Sequence, residues 1–540
     1  MKTISKHNSL KSFFSFYSLQ LVVLCISFAF GIAHMLTLRL SESGKGVFNY
    51  TRIPLGMGLF CLLLILVVST INWQQSRNNF HAVVVSDRKL FVYCFSLFLL
   101  ISTIWLLIYY PGVGMYDSIA IINDQNFTSA KQHPWFYILL IKCLVKFSFL
   151  LGGDFETALL LESILQILLS SLICSHCIIW MKNKGVDRNL ILISIIFFAF
   201  DPLINMYTIA LFKDIPFAYL IVEWTMMLYD VWETNGNALA NRLFMFKAIL
   251  CIMLSLLRNN GVYVTAFILL CLLLFYKKYW NYIIKFLFAL LLIIIISIVF
   301  EKTHNITHLF KETVGVPLQQ IAATVCAEGT ITDEQYNFIN EILPIEFIKE
   351  HYNPYSADTL KWGGSPINNT FLNHHKLQFL KVWWQMLFPN FKTYVKAFLQ
   401  VTYGFWSTSV THVDKYSSIY VLALDDWFVN NDIDIQIIFP DDVQSYLEKV
   451  TFNSVEGLGE GQLFWLFALI MLALLLITND KHILIIGTPI FGSWLTLMIS
   501  TPVAHQWRYI LYIPLCLPML IGCLSIKYSY ASPTSDVLIE

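Results

Sequence analysis

The 540 residues are 57% hydrophobic and 16% aromatic, with only 13% charged, where a soluble domain carries about 25% charged residues. This composition excludes disorder, a soluble enzyme and a nucleic-acid binder, and leaves a multi-pass membrane protein. The 35 basic and 35 acidic residues cancel to a net charge of zero, so charge is informative only through where each sign sits.

A spanning helix needs roughly 20 apolar residues. In chain order, runs near that length fall at 13–33, 53–72, 90–110, 157–180, 189–209, 215–232, 280–300, 463–478, 482–500 and 508–526, with two shorter ones at 243–257 and 261–276. They predict an all-α polytopic protein of about 12 transmembrane helices. Orientation follows from the excess of Lys and Arg in cytoplasmic loops: Lys2, Lys6 and Lys11 place the N-terminus in the cytoplasm, and Arg77, Arg88 and Lys89 place the second short loop there. A crossing at 134–151 would put Lys182, Lys184 and Arg188 outside, so that run is predicted to be a surface helix on the external face. Lys142 and Lys146, four residues apart, supply its polar stripe. Arg242 with Lys247, and then Lys277, Lys278 and Lys285, require the two short runs to turn back at an external Arg258-Asn259-Asn260-Gly261. The expected organisation is an N-terminal transmembrane module over 1–300 with nine spans and a first external loop at 111–156, a mostly helical external segment over 301–462, and a C-terminal module over 463–540 with three spans. Both termini are cytoplasmic in this reading. The external segment holds 10 lysines, no arginine and 19 acidic residues. The eleven cysteines, most of them inside apolar runs, read as small core hydrophobes.

Charged groups inside a membrane mark function by default. Glu162 and Glu223 are the clearest deep ones, but the unusual polar groups collect at the predicted external helix ends. They are Tyr116-Asp117-Ser118, Lys131-Gln132-His133-Pro134, Asp201-Pro202, Lys213-Asp214, Arg258-Asn259-Asn260-Gly261 and His505-Gln506-Trp507-Arg508-Tyr509. Asp117 reads either as a loop carboxylate capping a turn beside glycines or as a general base at the bilayer surface. His133 either merely precedes a proline-started helix or joins a site, and Lys213 either snorkels or binds substrate. The helix before Arg258 is about 15 residues, which at 1.5 Å per residue spans about 22 Å against a hydrocarbon core of roughly 30 Å. The guanidinium is therefore expected below the surface, where beside Asn259 and Asn260 it suits a phosphate. Arg508 repeats the pattern, with His505 one turn earlier. Ion pairing with Asp201 or Asp214 is the structural alternative for either arginine. Taken together, these groups suit an amphiphilic anion whose tail stays in lipid, such as a lipid-linked phosphosugar.

A span, an external loop with an aspartate, a "KQHPWFYILL" segment running into a surface helix, and then further spans with external Lys, Arg and Asp together resemble the GT-C superfamily of membrane glycosyltransferases. The chain looks most similar to the protein O-mannosyltransferase and aminoarabinose-transferase type over about residues 90–275. The "VPLQQIA", "HYNPYSAD", "RNNG" and "WRY" segments are similar to an uncharacterised bacterial multi-pass family grouped with these enzymes. The resemblance implies inverting transfer of a sugar from a polyprenyl-phosphate donor, on the non-cytoplasmic face, to an envelope glycan, lipid or protein acceptor. It further implies Asp117 as catalytic base, Lys131 or His133 at the position contacting donor phosphate or a metal, and Asp214 at that of a second-loop acidic residue. One proline follows His133 where that type has two, and no paired acidic motif follows Asp117.

The expected site is thus Asp117 as base, with Lys131, His133, Lys213, Asp214, Arg258, Asn259, His505 and Arg508 binding substrate. No cofactor is required, since cations can stabilise a departing lipid phosphate, and a divalent metal at His133 is an option. Membrane lipids are partners and nucleic acid is not. The rival readings are a polysaccharide polymerase or ligase relying on external Arg and His, and a lipid-linked sugar flippase or transporter using Glu162 and Glu223.

Overall fold

The computed structural model describes residues 2–41, 50–76, 83–114, 121–122, 124, 127–409, 438–455 and 457–528. Among these the chain is helical throughout. No strand occurs, only isolated bridges pairing Val113 with Ala210, Asn353 with Ser356 and Ser356 with Val503. The chain is a multi-pass membrane protein. Among the described residues eight helices are long and apolar enough to cross: Leu19–Thr37, Arg52–Gln75, Asp87–Ile108, Phe155–Asn183, Lys277–Thr303, Glu460–Thr478, Lys481–Ser500 and Trp507–Ser525. The pair Arg188–Phe200 and Pro202–Thr208, bent by 52°, makes a ninth if counted as one span.

The twelve spans expected from apolar runs are therefore corrected to eight or nine, and three helices account for the difference. Asp214–Glu233 is 20 residues long but carries Asp214, Glu223, Asp230 and Glu233; the bundle wraps it, so that Trp224, Tyr219 and Tyr229 are fully buried. Neighbouring helices, rather than lipid, face most of its length. Arg242–Leu254 and Gly261–Phe275 have 13 and 15 residues, too few to cross alone. Lys247, used with Arg242 to mark a cytoplasmic end, lies inside the first of these and pairs with Glu223 at 2.7 Å, with His176 Nδ1 3.1 Å from the same carboxylate. The helix expected on the surface runs Trp135–Leu150 and buries Trp135, Tyr137, Ile138 and Ile141 on one side.

Local signals explain where helices begin. Asp154 caps Phe155–Asn183 by accepting from Thr157 N at 2.9 Å, and Thr332 with Gln335 forms a capping box on Asp333–Ile342. Gly261 opens its helix because a Cβ there would lie 2.1 Å from Ser255 O. The cysteines are all free, Cys174 and Cys177 of the Cys-Ser-His-Cys run included.

Polar contacts sort the helix ends into two sets. At one end Lys182 pairs with Asp87 and Lys184 with Asp230 and Glu233, Trp232 Nε1 donates to Asp480 at 2.8 Å, and Gln75 reaches Ile526 O at 3.1 Å. At the other, Val113 exchanges backbone hydrogen bonds with Ile209 and Leu211, Arg258 meets Asp214 and Thr408 N donates to Thr37 Oγ1 at 3.0 Å. Residues 304–409 cover this second end with a core of their own around Leu318, Ile321, Phe338, Leu360 and Met386. That cover is tied down by Leu309 N to Lys131 O at 3.1 Å, Ala357 N to Pro502 O at 2.7 Å and Ala504 N to Tyr355 O at 2.8 Å.

Candidate functional site

Four stretches far apart in sequence meet at this covered end. The bent helix Pro202–Thr208 leads into 209–214, where the bridge to Val113 and the amide of Gln166, donating to Ala210 O at 2.7 Å, fix a non-helical backbone. Phe212, Lys213 and Asp214 are thereby held in place. The turn at 258–260 follows a 3-10 turn over Ser255–Leu257, and its amides are used structurally: Asn259 Nδ2 donates to Gln132 O at 3.0 Å and Asn260 Nδ2 to Thr496 Oγ1 at 2.6 Å. Arg508 and Tyr509 come from the start of the last span.

The centre is a stack of guanidinium and aromatic groups. Arg258 Nε lies 2.8 Å from Asp214 Oδ1, with both side chains buried. The Arg258 guanidinium sits 5.5 Å from the Phe217 ring and 5.2 Å from Tyr509. Arg508 lies 4.5 Å from the Phe212 ring and 5.0 Å from that same Tyr509. One tyrosine ring thus receives two cations, which water exclusion and ring quadrupoles stabilise. Tyr509 also lies in the field of Asp358 from the covering segment, and Tyr207 in that of Arg508, Glu460 and Asp214. Alongside, Lys213 Nζ donates to Nδ1 of the buried His133 at 3.0 Å, which leaves the ring proton on Nε2. His505 Nδ1 faces Glu460 Oε2 at 3.4 Å. Glu460 Oε1 and His505 Nε2 are buried with no hydrogen-bond partner among the described residues.

The structure therefore brings His133, Lys213, Asp214, Arg258, Asn259, His505 and Arg508 to one place. Lys131 is adjacent through its backbone, but its side chain is exposed. Asp117 lies outside the described residues. Of the two partners weighed for Arg258, the carboxylate present is Asp214; Asp201 instead caps Pro202–Thr208 by accepting from Ile204 N at 2.9 Å. Among the described residues no group of three or more His, Cys, Asp and Glu is placed to hold a metal ion. Glu460, Tyr509 and Asp358 were missed as site residues. Glu460 is adjacent to an apolar run and reads there as a helix-start acid, and only the fold shows it facing His505.

In the covering segment, Lys361 is fully buried between Asp358 at 3.0 Å and Glu312 at 3.3 Å. Although burial disfavours its charge, these two carboxylates hold its pKa above the ordinary lysine value. Lys311, whose ammonium donates to Lys361 O at 2.9 Å, has its pKa lowered by desolvation.

A family profile described as a family of unknown function (DUF6020) matches residues 121–532, and the chain belongs to that family. The matched stretch contains every candidate residue except Asp117. No curated protein and no solved structure matches the chain.

Proposed function

We propose that this family member is an inverting glycosyltransferase that takes a sugar from a polyprenyl-phosphate-linked donor and passes it to an envelope glycan, lipid or protein on the non-cytoplasmic face, both termini being cytoplasmic. The observation that carries this reading is the pair of guanidiniums, Arg258 and Arg508, on the shared Tyr509 ring, with Lys213 and His133 beside them. Arg258 meets Asp214 through Nε, 2.8 Å from Oδ1. A fork of donors beneath the ends of apolar helices suits a phosphate whose lipid tail remains in the bilayer. The side of the membrane rests on the basic loops, and the GT-C-like identity on the resemblance in residues 90–275.

In this mechanism Asp117 accepts the acceptor hydroxyl proton as its oxygen attacks C1 of the sugar. The C1–O bond to the lipid phosphate breaks with its electron pair going to phosphate, and Arg258, Arg508 and Lys213 stabilise the charge that develops. A divalent metal is not required for these steps.

A second reading, a polysaccharide polymerase or ligase, is supported by the His505–Glu460 dyad, in which a carboxylate orients an imidazole whose other nitrogen is left to act. One experiment separates the two. Purified protein in nanodiscs is supplied with polyprenyl-phosphate sugars and an envelope acceptor fraction, and label transfer and donor-lipid binding are measured for Asp117→Asn and His505→Ala. Loss of transfer with retained lipid binding in Asp117→Asn, and lesser loss in His505→Ala, is the expected result. Full transfer by Asp117→Asn together with loss in His505→Ala would move the assignment to the second reading.

A further inference from the structure

The covering segment is acidic, yet one stretch reverses the sign. Between residues 304 and 409 there are eight acidic side chains, and none lies within 376–401, which holds four lysines. This stretch folds as Lys376–Leu387 and Phe391–Val401 joined by a short turn. The inward face is made by Phe379, Val382, Met386, Tyr394 and Ala397, all buried, so the pair is firmly seated. The opposite face is not polar. Leu377, Leu380, Trp384, Phe388, Phe391 and Val395 are exposed, Leu377 at 84% and Phe388 at 66%. They are six of the eight large apolar side chains exposed anywhere in 304–409; Leu377, Leu380 and Trp384 share one face of the first helix and Phe391 and Val395 one face of the second by their spacing of three or four residues, with Phe388 in the turn between them. Lys376, Lys381, Lys392 and Lys396 are exposed around these side chains.

The position of the pair relates this face to the bilayer. Phe391–Val401 runs directly into 403–408, where Tyr403 Oη reaches Thr37 O at 3.3 Å and Thr408 N reaches Thr37 Oγ1 at 3.0 Å, at the end of the candidate span Leu19–Thr37. Trp465 Nε1 and Trp494 Nε1 donate to Trp406 O and Phe405 O, each at 2.8 Å, from two further spans. A helix pair anchored at the level where three spans end, apolar on its open face and bordered by lysines without a carboxylate, has the composition of an element that lies in the headgroup region.

We infer that residues 376–401 form an interfacial anchor that seats its Leu377–Val395 face in the bilayer the chain itself spans and holds anionic lipid headgroups with its four lysines. Trp384 and Phe388 supply the aromatic contacts favoured at that depth, and the lysines add electrostatic attraction that an acidic surface elsewhere on the segment lacks. The inference is independent of the reaction proposed above.

The test uses the full chain in nanodiscs containing phosphatidylglycerol, with p-benzoylphenylalanine replacing Phe388, and, as control, replacing Tyr336 on the acidic helix Asp333–Ile342. After irradiation, adducts are identified by mass spectrometry. Lipid adducts at 388 and few at 336 are expected. Replacing Lys376, Lys381, Lys392 and Lys396 by Gln is expected to lower phosphatidylglycerol adducts at 388 by about fivefold or more, the weight of one lysine near an anionic surface. Equal lipid adducts at both positions, cross-linking of 388 to a second copy of the chain or another protein, or a yield indifferent to the lysines would each overturn the assignment.

Discussion

Removing one member of the Arg258–Asp214 pair exposes how the site is held. The Asp214 side chain is 1% exposed and that of Arg258 9%, with 2.8 Å between Nε and Oδ1. Deleting one partner of such a pair leaves a buried charge without its counter-ion, a loss of about 3–5 kcal/mol, whereas replacing both with apolar groups of similar volume is often close to neutral. Asp214→Asn is therefore expected to destabilise by about 3–5 kcal/mol. Arg258→Met is expected to cost a further amount of about 0.5–2 kcal/mol, because it also abolishes the contacts with the Phe217 and Tyr509 rings. The double variant Arg258→Met, Asp214→Leu is expected to recover at least about 2 kcal/mol relative to the sum of the single losses, well beyond the additivity seen for independent sites. Unfolding in mixed micelles by titration with sodium dodecyl sulfate, followed by tryptophan fluorescence, supplies the four stabilities of the cycle. Additive losses would refute the claim that these two side chains are coupled in the folded protein. The same double variant, folded but tested for donor-lipid binding, distinguishes a purely structural pair from one that also holds phosphate: the proposed function requires that binding to fall.

Two further outcomes follow from local geometry. A Cβ at Gly404 would lie 2.0 Å from Ala504 O and 2.7 Å from His505 Nδ1, so Gly404→Ala is expected to lower stability by about 1–3 kcal/mol through overpacking, read as an earlier loss of the monodisperse peak on heating; an unchanged profile refutes the close approach. Asp154, whose carboxyl is held below its ordinary pKa chiefly by donation from Thr157 N, contributes stability that is present above its unfolded pKa and lost as pH falls through its lower folded pKa. Asp154→Ala is expected to cost about 0.5–2 kcal/mol at neutral pH and nothing once the parent carboxyl is protonated. A stability gap that persists unchanged into that acid range counts against the capping role.

Much of the candidate site could be read in the chain because membranes make polar residues conspicuous. Lys213, Asp214, Arg258 and Arg508 stand out at the margins of apolar runs, but what buries the Arg258 side chain is its packing against Asp214, Phe217 and Tyr509, not the length of a spanning helix. The partner of Arg258 was one of two possibilities, and choosing between them needed coordinates, because Asp201 turned inward to cap its own helix while Asp214 faced across 44 positions of sequence. Glu460 carried no such signal, and Tyr509 and Asp358, though inside the WRY and HYNPYSAD segments, were not distinguished from their neighbours there. Each looks ordinary where it stands and matters only through what the fold places beside it.

The sequence by itself determined that the protein is helical and multi-pass, because each apolar run must satisfy its backbone hydrogen bonds within itself when no water is present. Tertiary structure decided which helices lipid can surround. Asp214–Glu233 carries four acidic residues and is tolerated because neighbouring helices, not hydrocarbon, enclose it, and the short helices Arg242–Leu254 and Gly261–Phe275 survive by packing rather than by spanning length. Only three dimensions could set two arginines, 250 positions apart in sequence, on one tyrosine ring: hydropathy is a property of neighbours along the chain, whereas a binding site is a property of neighbours in space.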